Sequence, residues 1–77
     1  MRPIGVRVLF RSKMLRLLSP SALQRIAREV QRIPGVRRVE VAAEEGLITI
    51  SRDMRGPSGR ILRQHLLQLG LTDARQT

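Results

Sequence analysis

The chain has 77 residues, a net charge of +9, no cysteine and a single aromatic residue, Phe10. That length predicts one small domain over residues 1–77, burying roughly 60% of its unfolded surface and leaving no room for a separate catalytic cleft. Absent cysteines exclude disulfides, thiolate metal sites and cysteine nucleophiles, and a 42% hydrophobic share excludes a disordered chain and predicts a core of Leu, Ile and Val.

Taken in order, Ile4, Val6, Val8 and Phe10 alternate with Gly5, Arg7, Leu9 and Arg11. A period of two marks a half-buried strand. The Arg-rich, acid-free N-terminus superficially resembles a transit peptide, but the alternation within it is what a first strand requires. Residues 12–18 form a loop or turn in which Met14, Leu15 and Leu17 cap the core or rim a partner site. Ser19 is suited to N-cap a helix and Pro20 to its first position. Leu23, Ile26, Ala27, Val30 and Ile33 then draw an apolar stripe, and Pro34-Gly35 stops the helix. A second strand runs from Val36 to Ala42. Ala43-Glu44-Glu45-Gly46 makes a turn, and a third strand runs from Leu47 to Ser51. Ser58 caps a second helix whose inner face is Ile61, Leu62, His65, Leu66 and Leu69, with Gly70 just past its end. Leu71 to Ala74 is expected to be a short closing strand, and Arg75-Gln76-Thr77 to fray.

This βαββαβ order predicts an α+β, ferredoxin-like sandwich, with four antiparallel strands in the order 4-1-3-2 and two helices on one face. The phrase Ile33-Pro34-Gly35-Val36, the alternating strand after it, the acidic-Gly turn and the Gly70-Leu71 closure resemble the heavy-metal-associated domain of copper chaperones and metal-transporting ATPases. The resemblance covers almost the whole chain. It implies the same fold, together with a Met-x-Cys-x-x-Cys loop whose thiolates are soft ligands for Cu(I) or Zn(II). Counted back from Ile33-Pro34-Gly35-Val36, the two cysteine positions fall on Ser19 and Ala22 and the methionine position on Leu17. A hydroxyl and a methyl group do not replace two thiolates. The chain therefore looks like a cysteine-less variant of that fold, with no cofactor and no metal expected.

The charge arises from 14 Arg and one Lys against six acids. It points to an anionic partner, or it reflects arginine-heavy composition with the side chains merely solvated. Arg25, Arg28 and Arg32 recur at helical spacing and form one basic stripe. Arg7, Arg11 and Arg38 are expected on the uncovered sheet face, with Lys13 and Arg16 in the loop between. Leu9 and Leu47 on that face make an apolar pair with an arginine rim, the composition of a protein interface. Base stacking in the manner of an RNA-recognition motif is disfavoured, because the outward positions hold no aromatic residue.

His65 stands alone and is expected to pack at the boundary of the core rather than to ligate. No nucleophile elbow accompanies the serines. Gly56-Pro57-Ser58-Gly59 lacks P-loop spacing and reads as a helix cap. No apolar run approaches the ~20 residues that span a bilayer. The expected function is a non-enzymatic, cytoplasmic interaction module that docks an acidic protein partner or self-associates. The alternative is nucleic-acid binding through arginine–phosphate contacts.

Overall fold

A computed structural model describes residues 5–77; Ile4, expected at the start of the first strand, lies outside the described residues. Three strands, β1 (Gly5–Arg11), β2 (Val36–Ala42) and β3 (Leu47–Asp53), and a short β4 (Arg75–Gln76) form one sheet in the order β2-β3-β1-β4. All pairings are antiparallel. Helices α1 (Pro20–Gln31) and α2 (Gly59–Gln68) pack on one face. This is the ferredoxin-like sandwich that the element order implies.

Local chemistry explains the helix boundaries. The backbone N–H of Ala22 donates to Ser19 Oγ at 3.2 Å, and that of Ile61 donates to Ser58 Oγ at 3.2 Å. Each cap satisfies one of the orphan donors of a first turn. At the far end of α1, Gly35 adopts φ +92°, and an added Cβ would lie 2.9 Å from Pro57 Cδ. Its carbonyl accepts from Asp53 N–H at 2.9 Å. The Pro-Gly stop is therefore also the joint at which the α1–β2 turn meets the end of β3.

Period-two burial along the strands meets period-3.6 burial along the helices in one core. Val8, Phe10, Ile48 and Ile50 supply the sheet side, and Ile26, Val30, Leu62 and Leu66 the helix side. Burying one such side chain contributes about 1.5–3 kcal/mol.

Four expectations are corrected. Ile61 is 45% exposed, because the buried positions of α2 are Leu62 and Leu66, with Leu69 packed beside them. The apolar face is thus centred one position later than composition suggests. The closing strand is residues 75–76; Leu71 and Ala74 are instead buried in a turn before it. Thr77 N–H donates to Leu9 O at 3.0 Å, so the last residues pair with β1. β3 also runs two residues beyond Ser51.

Candidate functional site

Residues 12–18 follow β1 directly. Ser12 caps a 3₁₀ turn, Lys13–Leu17, by accepting from Met14 N–H at 3.3 Å. Leu15 is fully buried and Met14 packs on the core, as core-capping requires, whereas Leu17 is 82% exposed and does not share that job. Ser12, itself buried, donates to Asp73 Oδ1 at 2.5 Å, and Lys13 N–H donates to Asp73 Oδ2 at 2.8 Å. The Ser12 hydrogen bond is the main reason the Asp73 carboxyl is held below its ordinary pKa; the Lys13 amide acts in the same direction.

These ties bring the end of β1, the 3₁₀ turn, α2 and β4 around one open groove of about 1120 Å³. Five bases line it: Arg11, Lys13, Arg16, Arg63 and Arg75. Glu45 and Asp73 are its acids, and Ser12, Gly46, Thr72, Gln76 and Thr77 complete it. Arg63 Nε donates to Ala74 O at 2.8 Å, which anchors that guanidinium beside β4. Of the expected basic residues, Arg11, Lys13 and Arg16 come together here. Arg63 and Arg75 complete the set and were not predicted from sequence. Nothing local marks them, since α2 and β4 meet the end of β1 only in the folded chain.

The remaining expected residues lie elsewhere. Across the uncovered sheet face, Arg7 and Arg38 both stand opposite Ser51. Arg38 also lies 3.1 Å from Glu40, two positions along its own strand. Leu9 is opposite Thr49 and Leu47 is opposite Arg11, so the two leucines are diagonal neighbours rather than a directly facing pair. Both are half-buried. Arg25, Arg28 and Arg32 are exposed on α1, with Arg32 3.6 Å from Glu29.

Ser19 and Ala22, at the expected thiolate positions, are the N-cap of α1 and the residue whose N–H it holds. Ala22 borders a small cleft of about 200 Å³ with Leu18, Ile26 and Leu69. These residues do not fit a soft metal ion: the Ser19 hydroxyl holds Ala22 N–H and lies beside Ser21 Oγ, and the cleft beside Ala22 adds only aliphatic side chains, Arg25 and Gln68, none of them a soft ligand. Among the described residues, no group of three or more His, Cys, Asp or Glu is placed to hold a metal, and no helix is long and apolar enough to cross a membrane.

No family model matches the chain, and no curated protein matches it by sequence. Solved structures match it by shape. A Bacillus anthracis str. Ames protein assigned as copper-ion-binding is similar at a TM-score of 0.77 and 13% identity, covering 99% of this chain and 100% of that one. A chain studied under "Crosstalk between Cu(I) and Zn(II) homeostasis" is similar at a TM-score of 0.73 and 15% identity, covering 94% of this chain and 96% of that one. At such identities the likeness establishes the fold alone. That fold is the one expected from Ile33-Pro34-Gly35-Val36 and the strands after it.

Proposed function

We propose that this chain is a non-enzymatic interaction module on a heavy-metal-associated-like scaffold that has lost metal binding, and that it docks an acidic protein partner through its open sheet face. One observation carries the reading. Leu9 and Leu47 lie diagonally on the two central strands, on the face opposite the helices, with Arg7 and Arg11 on either side of Leu9 and Arg38 on the edge strand beside Glu40. An apolar centre with an arginine rim has the composition of a docking surface for an acidic partner. The loss of metal binding is supported by the chain having no cysteine and by the capping role of Ser19. In this reading the chain acts as one cytoplasmic domain without a catalytic role.

The test is capture of partners by the wild-type chain and by Leu9→Asp, together with sedimentation of both. Loss of a captured acidic protein in the variant supports docking. Loss of a dimer instead assigns the face to self-association, and unchanged capture in Leu9→Asp removes the face from the site.

A second reading, nucleic-acid binding, is favoured by the exposed stripe Arg25, Arg28 and Arg32. It predicts a mobility shift with mixed DNA or RNA that weakens steeply with salt and is lost when the three become Glu. The absence of a shift at low salt would end it.

A further inference from the structure

We propose that the groove at the β1/β4 end of the sheet, which shares Arg11 with the rim of the open sheet face, binds a small polyvalent phosphate anion, such as a short phosphoanhydride chain.

The composition of the groove identifies the ligand class. Its lining holds no Val, Leu, Ile, Met or Phe. Protein interfaces centre on apolar or aromatic anchors, so a concavity lined by no such side chain is a poor protein site. Phe10, the chain's one aromatic residue, is fully buried, which leaves no aromatic ring to stack a base. What remains is recognition of charge.

Charge is in excess where it is needed. The lining places five bases against two acids, and Asp73 is already engaged by Ser12 and the Lys13 amide. The ion pairs found among the described residues involve Arg32, Arg37 and Arg38, none of them in the groove. The groove bases therefore share one open space with no ion pair among them, and a multivalent anion can engage several of them at once. Four of the five are arginines, whose planar forks match phosphate oxygens two at a time. They come from four elements, β1, the 3₁₀ turn, α2 and β4, which converge on this one open groove. At about 1120 Å³ the groove is open and as large as a small-molecule site. It accommodates a chain of phosphates rather than a single one.

The test is titration calorimetry with inorganic tripolyphosphate at about 100 mM salt, where long-range surface attraction is largely screened. The expected result is saturable one-to-one binding. Arg16→Glu/Arg75→Glu should weaken it by about tenfold or more, the size of one lost charge-assisted hydrogen bond. Arg25→Glu/Arg28→Glu makes the same change in net charge away from the groove and should leave binding within about threefold. Arg16 and Arg75 are both exposed; should the Glu pair fail to fold, Arg16→Gln/Arg75→Gln reads the same loss at smaller size. The proposal is overturned by the absence of saturable binding, or by equal losses in the two double variants. It is equally overturned if orthophosphate, citrate or an oligo-glutamate peptide binds as tightly as tripolyphosphate.

Discussion

Ser12 Oγ donates to Asp73 Oδ1 at 2.5 Å and ties the end of β1 to the turn before β4 across 61 positions of sequence. Ser12 is 3% exposed, and the same hydroxyl accepts from Met14 N–H. One buried side chain thus caps the 3₁₀ turn and fastens the C-terminal segment that carries Arg75. The order of the basic groove depends on this contact.

Acid should loosen that fastening. The Asp73 carboxyl is held below its ordinary value of 3.8, chiefly by Ser12. A group whose pKa is lowered by folding contributes stability above its unfolded pKa, and that stability is lost as pH falls through the folded pKa. Asp73→Asn mimics the protonated acid. Its melting temperature should lie below that of the wild type at pH 7, with the gap closing as both are melted at pH values below 3.8. An identical gap at both ends of the range would show that the charge of Asp73 is immaterial.

Two leucines in one turn should respond in opposite ways. Leu15 is fully buried and Leu17 is 82% exposed. Leu15→Ala removes core contacts and leaves a cavity, at a cost of about 2–5 kcal/mol. Leu17→Ala should stay within about 0.5 kcal/mol of wild type. Urea denaturation of the two variants measures both, and comparable losses would contradict the burial assigned to Leu15.

Gly35→Ala should cost more than about 1 kcal/mol. The residue sits at φ +92°, and the new methyl group would meet Pro57 Cδ and Gly56 Cα at 2.9 and 3.0 Å. Neither neighbour is the free end of a flexible side chain. A lowered urea midpoint at unchanged slope is the expected observation, and an unchanged midpoint would mean that the α1–β2 joint yields freely.

Two thiolates introduced at the N-terminus of α1 should create a soft-metal site. In Ser19→Cys/Ala22→Cys the two sulfurs replace the N-cap and the residue whose N–H it holds, where the positive end of the helix favours the thiolate form. The variant should retain close to one Zn(II) or Cu(I) per chain after gel filtration, while the wild type retains none. Equal metal content in both would sink the view that Ser19 and Ala22 mark a lost site.

Much of the fold was legible because it rests on local rules. Ser19 and Ser58 as caps, the turn closed by Gly46, the helix end at Gly70 and the extent of β2 follow from side-chain chemistry and periodicity over a few residues. The misreadings fall where several periodic patterns compete. Ile61, Leu62, Leu66 and Leu69 offer α2 two overlapping apolar stripes, and only packing against the sheet selects the one that leaves Ile61 in solvent. In residues 71–77 the apolar Leu71 and Ala74 drew the strand too early, although both are buried in a turn and the polar Arg75 and Gln76 pair with β1.

The sequence by itself determined the element order, the sandwich it builds and the absence of thiolates from the α1 terminus, since each depends on neighbours in the chain. It also disclosed Arg11, Lys13 and Arg16 as a basic stretch. Only the tertiary structure brought Arg63 and Arg75 to them and placed Leu9 diagonally to Leu47. Strand register and the return of β4 beside β1 are set by contacts between distant segments, and those contacts have no period along the chain to betray them.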